Sequence, residues 1–207
     1  MRAARWRERM ASPTLVLSLL YTFTYVVPIY FYPMQHSWVE IFRWSNYFIW
    51  ALFLFDYLIQ FYLASNRKKF FTTHFVELFL VVVPFFRPLR GLRALLFTSK
   101  ASFRNKSAYI KSIPILIGVT TILMILIMGA AVLEIERFAP GSHITTPSDA
   151  LWWALVTVTT IGYGDVYPVT TEGRVVAAVL IVFGIAMISA LTASFAAWIL
   201  ADHESRI

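Results

Sequence analysis

Thr159-Thr160-Ile161-Gly162-Tyr163-Gly164-Asp165 is the segment with the most chemical content, because its two glycines stand two residues apart. Glycine enters left-handed backbone that a Cβ makes costly. Alternate glycines can therefore turn successive peptide carbonyls to one side, and a row of such oxygens can replace the water around a dehydrated cation. The bland reading of the same glycines is a tight turn. A second group is ionic. Asp56, Glu77, Arg87, Arg90 and Arg93 fall in or beside apolar stretches, where an ionisable side chain is costly and faces a partner or water. There is no cysteine, which excludes disulfides and thiolate metal sites, and the four histidines have no ligand-like spacing. Asp56 and Glu77 read as the only buried carboxylates, and neither has a histidine or cysteine for company, which argues against a membrane-embedded enzyme.

The elements that position these residues follow from hydropathy. Of the 207 residues, 59% are hydrophobic and 14% charged, more apolar surface than one soluble core hides. Five runs approach the roughly 20 residues that a bilayer-spanning helix needs: 13–32, 44–64, 70–86, 113–135 and 175–201. Pro13 sits near a helix start, while Pro28 is expected to kink or loosen the end of the first run. The net charge of +7 is carried by clusters between runs: Arg2, Arg5, Arg7 and Arg9, then Arg67, Lys68 and Lys69, then Lys100, Arg104, Lys106 and Lys111. All three clusters lie on one side only if a further helix crosses around Arg87–Arg93, which gives six spans with both termini cytoplasmic by the positive-inside rule. No basic patch interleaved with stacking aromatics is present, so nucleic acid is not an expected partner.

Between the last two runs the chain turns polar from Arg137 to Ser148, then forms a short apolar stretch opened by Pro147 or Ser148 with Asp149 at the positive end of its dipole. Too short to cross, this stretch enters the membrane and returns. Backbone that is not helical at such depth must be covered by protein or line a water-filled path.

The sequence P-S-D-A-L-W-W-A-L-V-T-V-T-T-I-G-Y-G-D-V-Y-P-V-T-T-E-G-R resembles the potassium channel family almost throughout its pore helix, filter and outer loop. The first four helices resemble the sensor of its voltage-gated members. The resemblance implies that K+ is the permeant ion and that no other cofactor is needed. It implies ion sites made by the carbonyls of Thr160, Ile161, Gly162 and Tyr163 with the Thr160 hydroxyl, a filter completed by Gly164, and support from Thr159, Trp152, Trp153 and Asp165. Trp152 would reach Asp165, and Trp153 the Tyr163 hydroxyl of a neighbouring chain; simple packing is the other reading of both indoles. Ile161 replaces the commoner valine. Gly184 resembles the gating hinge of the inner helix, with close packing against a neighbour helix as the alternative, and the Pro-x-Pro motif of many animal relatives is absent. One filter loop and no internal repeat mean that four chains must assemble, as a homotetramer.

In the sensor-like part, Asp56 and Glu77 match the family's inner acidic pair and Phe53 its aromatic plug. Arg87, Arg90 and Arg93 recur every third residue and form the voltage-sensing stripe. One charge crossing the full potential is worth roughly 2.3 kcal/mol per 100 mV, so twelve of them over four chains reach at most about 28 kcal/mol per 100 mV. The stripe is short, Gln60 stands where a base is common, and Asn46 stands where an outer acid often sits. The alternative is a voltage-insensitive potassium channel whose four-helix part is only a scaffold.

The expectation is thus an all-α membrane protein of six transmembrane helices, a four-helix voltage-sensor-like bundle plus a two-helix pore with re-entrant pore helix and selectivity filter. It places a cytoplasmic N-terminus at 1–11, the sensor-like domain at 12–99 and, at 100–111, a cytoplasmic linker from sensor to pore that could also touch anionic lipid. The pore domain follows at 112–201, with pore helix 148–159, filter 160–164 and inner helix 174–201, before a cytoplasmic end at 202–207. No cytosolic ligand-binding or tetramerisation domain is expected. The setting is the cell membrane, and compactness without cysteine fits a bacterial source.

Overall fold

A computed structural model describes residues 2–64, 70 and 106–204. Five helices account for nearly all of them: α1 (Arg2–Tyr30), α2 (His36–Leu63), α3 (Lys106–Glu136), α4 (Pro147–Val158) and α5 (Thr171–Glu204). Among the described residues four helices are long and apolar enough to cross a membrane, over Ser12–Tyr30, His36–Leu63, Ile113–Glu136 and Thr171–Ile199. The third and fourth expected spans, with Glu77, Arg87, Arg90 and Arg93, lie outside the described residues. The chain divides into two compact units, Met1–Thr98 and Ser99–Ile207.

In the first unit α1 packs on α2. α1 contains both Pro13 and Pro28. Against expectation, Pro13 is not near a helix start but stands inside α1 with eleven helical residues before it, where it removes one intrahelical bond; Pro28 stands two residues from the end, where few intrahelical bonds remain to be lost. The core between the helices is aromatic: Tyr21, Ile49 and Phe53 are buried together with Leu17 and Tyr25 against them. Tyr21 stacks on Tyr25 and meets Phe53 edge-on, each at 6.4 Å between centroids, the offset and T-shaped geometries that ring quadrupoles prefer. Phe70 extends the cluster against Tyr57 and Phe61, at 5.7 and 5.9 Å. A polar clasp closes the pair, with Thr24 Oγ1 donating to Asn46 Oδ1 at 2.7 Å and Asn46 Nδ2 to the Thr24 carbonyl at 3.2 Å.

In the second unit α3 packs against both α4 and α5, and α4 against α5. Met124, Ile127, Met128 and Ala130–Leu133 of α3 are buried, as are Ala150, Trp153, Ala154, Val156 and Val158 of α4 and Val176 and Leu180 of α5. The alanines let backbones approach closely, as helices in lipid require. α3 begins at Lys106, so its first turns take up part of the basic stretch 100–111.

Candidate functional site

Everything at the site hangs from α4. Its N-terminus is closed by a capping box: Thr146 Oγ1 accepts from the Asp149 N–H at 3.2 Å, and Asp149 Oδ2 accepts from the Thr146 N–H at 2.9 Å. Pro147 fills the first helical position, where a missing N–H costs nothing. Thr146, through its hydroxyl and then its backbone N–H, holds the Asp149 carboxyl below the usual carboxylate range. The helix has 12 residues, about 18 Å at 1.5 Å each, against roughly 30 Å of hydrocarbon.

After Val158 the chain folds back on its own helix. The N–H groups of Thr160, Ile161 and Gly162 donate to the carbonyls of Thr157 (3.0 Å) and Val156 (3.0 and 3.2 Å). Backbone φ is then positive at every second residue: Thr160 at 59°, Gly162 at 58° and Gly164 at 77°. A Cβ on Gly162 or Gly164 would meet nothing within 4 Å in the chain, so conformation, not space, calls for glycine there. The sequence signals the two glycines but not Thr160. A β-branched residue at positive φ is an outlier, held at a cost of about 1–3 kcal/mol only where its surroundings over-determine it. Such strain gathers at functional sites.

Trp152 Nε1 donates to Asp165 Oδ2 at 2.8 Å, the contact that the resemblance implies, and Asp165 Oδ1 also accepts the Val166 N–H at 3.0 Å. The sequence gives no sign of a second contact, in which the Trp152 ring stacks on Tyr163 at 5.7 Å, with 6° between planes. Trp152 thus grips the segment at two points. Trp153 is only 3% exposed within its own chain. Ile161 and Tyr163 are 56% and 64% exposed. Every residue from Thr159 to Asp165 is exposed in a single chain.

Glu136 corrects the expectation that Asp56 and Glu77 are the only buried carboxylates. It is fully buried at the end of α3. Its Oε2 accepts the Val169 N–H at 3.1 Å, and its Oε1 accepts the Thr170 N–H at 2.9 Å and the Thr170 hydroxyl at 2.6 Å. The Thr170 oxygen in turn accepts the Gly173 N–H at 3.0 Å in the first turn of α5. Three donors make burial of the charge tolerable. Gly173 belongs to the same device, since a Cβ there would stand 2.3 Å from Glu136 Oε1. In sequence Glu136 looks like the first polar residue after an apolar run, and nothing nearby names its partners, 33 and 34 residues on.

Gly184 lies inside an unbroken α5. A Cβ on it would stand 2.7 Å from the Val158 carbonyl oxygen and 3.0 Å from Val158 Cα, which is the close packing weighed against a hinge. In the first unit, Phe53 is 4% exposed within the aromatic core. Asp56 is held by neutral donors, Trp6 Nε1 on Oδ1 at 3.0 Å and Gln60 Nε2 on Oδ2 at 2.8 Å; the sequence gives no sign of Trp6 as a partner.

Residues 115–201 match the family model described as ion channel. Part of the chain is 36% identical over 100 residues to potassium voltage-gated channel subfamily V member 2 of Mus musculus, covering 46% of this chain and 16% of that protein. It is likewise 36% identical over 103 residues to subfamily A member 5 of Mus musculus, covering 50% and 16%, and 35% identical over 103 residues to subfamily A member 4 of Homo sapiens, covering 50% and 14%. The chain spans only about a sixth of the length of these relatives. With the short helix, the alternating backbone and the flanking spans in place, these matches make residues 115–201 similar to ion channels, and about half of the chain similar to potassium voltage-gated channels.

Proposed function

We propose that the chain is one subunit of a homotetrameric, potassium-selective channel that lets K+ pass down its gradient. The observation that carries this reading is the alternation of left-handed backbone at Thr160, Gly162 and Gly164 directly after a helix too short to span. Alternate signs of φ turn the carbonyls of Thr160, Ile161, Gly162 and Tyr163 to one side, where four copies surround an ion with enough oxygens to replace its water. The exposure of the filter segment in a single chain supports fourfold closure, because peptide groups at membrane depth need protein or a water path beside them. The transport needs no cofactor and no chemical step.

In this proposal Thr159, Trp152, Trp153 and Asp165 brace the filter, and Glu136 ties its outward return to the start of the inner helix α5. Gly184 supplies both the close contact with Val158 and the place where α5 can bend. Arg87, Arg90 and Arg93 respond to voltage, with Asp56 and Glu77 as counter-charges and Phe53 as plug. Six spans cross the cell membrane with both termini cytoplasmic, as the spacing of the basic clusters requires.

The test is a recording from purified, reconstituted protein in a planar bilayer with K+ on one side and Na+ on the other. The expected reversal potential lies close to that of K+. A current carried equally by Na+, or a monomeric particle in detergent, would sink the proposal. Voltage gating is tested separately by Arg90→Gln with Arg93→Gln: a conductance–voltage curve unchanged by the pair would leave the four-helix part as a scaffold.

A further inference from the structure

Asp56 is a carboxylate on a helix that is long and apolar enough to span the membrane, and among the described residues both its oxygens are taken by neutral groups. Gln60, one turn further along α2, holds Oδ2 at 2.8 Å. Oδ1 is held from the other helix by the Trp6 indole at 3.0 Å, across 50 residues of sequence. The contact exists because α1 is continuous from Arg2, while its membrane-spanning stretch starts only at Ser12. The helix therefore carries Trp6 about 9 Å beyond that stretch, alongside the far end of the antiparallel α2. An indole has one polar atom, and it can only donate. Two donors leave a carboxylate oriented and partly satisfied.

We infer that Trp6 is a positioning residue for Asp56, so that residues 1–11 are a working part of the sensor rather than a tail. The inference rests on the voltage-sensor reading given above. With the indole in place, Asp56 is less in need of an arginine partner. Without it, one oxygen loses its donor and attracts Arg87, Arg90 or Arg93 more strongly, which favours whichever sensor position makes that pair. The number of charges that cross the field is unchanged, because the arginines alone carry them. Loss of Trp6 therefore moves the voltage midpoint and leaves the steepness as it was, whereas mere loosening of the bundle would flatten the curve.

The test compares Trp6→Phe, which keeps a ring and removes the donor, in the native background and with Asp56→Asn, using reconstituted full-length protein. In the native background the midpoint is expected to move by the equivalent of about a thirtyfold change in the gating equilibrium, the worth of a hydrogen bond to a charged group. With Asp56→Asn the same substitution is expected to give about fivefold or less, the worth of a neutral bond. Independently, the 15N-indole N–H signal that Trp6→Phe deletes is expected to move when Asp56→Asn is introduced. A midpoint that does not move, an equal shift in both backgrounds, a flattened curve or an unmoved indole signal each overturns the inference. Wild-type conductance that ignores voltage overturns the sensor reading as well, and the wild-type record alone distinguishes that failure from the others.

Discussion

The two units use polar side chains for different ends. In Ser99–Ile207 they sit around a loop: Thr146 and Asp149 close the start of α4, Trp152 reaches Asp165, and Glu136 gathers three donors from Val169 and Thr170. In the described part of Met1–Thr98 they join one span to another, Thr24 to Asn46 and Trp6 to Asp56, on either side of a cluster of rings. The first arrangement immobilises a short strained backbone whose carbonyls are proposed to face an ion, and a small displacement there is costly. The second joins two rods by a few bonds that can be exchanged one at a time. Rigidity is built where geometry is proposed to set selectivity, and looser attachment where a helix is proposed to move.

The sharpest way to break the comparison is Glu136→Ala. Three donors would lose a buried acceptor, at about 3 kcal/mol from the lower range for unsatisfied groups. We expect a marked fall in the thermal midpoint of the detergent-solubilised protein. Glu136→Gln, which keeps one acceptor oxygen, should recover part of the loss. If Glu136→Ala proves as stable as the native chain, the loop is held by something other than this carboxylate.

Gly162→Ala comes next, and Gly141→Ala is its control. Both glycines have positive φ, 58° and 74°, with nothing within 4 Å of a Cβ, so each substitution costs about 1–2 kcal/mol of backbone energy. Only Gly162 lies among the residues proposed to face the ion. We expect Gly162→Ala to remove K+ flux while Gly141→Ala leaves it near native at similar stability. Equal flux from the two variants would mean that the alternating backbone is incidental.

How much of this is legible in the sequence differs between the units. Apolar runs of about 20 residues disclose α1, α2, α3 and α5, because burial of backbone in lipid admits few alternatives. The ends are less legible: α2 starts at His36 and α1 at Arg2, earlier than the runs at 44 and 13, since a helix continues past the membrane wherever its own backbone bonds can be made. The filter segment is legible from Gly162 and Gly164, since only glycine takes positive φ at low cost. Thr160 is not legible, because its left-handed backbone is imposed by bonds from the end of α4. Nor are Glu136 and Trp6. Each looks like an ordinary polar or basic-flanked residue, and its meaning comes from a partner 33 to 50 residues away. α4 opens at Pro147, as its sequence signals, and the cap before it is Thr146, legible in T-P-S-D, which has the spacing of a capping box.

A smaller effect tests the looser unit. Thr24→Val removes a hydroxyl that Asn46 accepts, and Asn46→Leu removes the other partner. Interhelical hydrogen bonds in membrane proteins average about 0.6 kcal/mol by double-mutant cycle. A coupling of that size in thermal unfolding is expected; a value several times larger would make the α1–α2 pair as rigid as the filter unit and remove the contrast.

The smallest effect concerns pH, at Asp149. Its folded-state pKa lies below the ordinary value of 3.8, chiefly because the Thr146 hydroxyl bonds it. A group with a depressed folded pKa contributes stability that is fully present above its unfolded value and is lost as pH falls through the folded one. The capping box should therefore hold at neutral pH and weaken only below about pH 4, in the direction that frays the first turn of α4. The residue is partly exposed, so solvent screening keeps the contribution well under about 1 kcal/mol. Amide exchange at Ala150 and Leu151, followed from pH 5 to about pH 3 after correction for the intrinsic rate, should lose protection in the native chain and start low and change less in Asp149→Asn. A native profile that runs parallel to that of the variant would mean that the carboxylate does not hold the helix end, and that Thr146 and Pro147 suffice to start the helix on which the filter hangs.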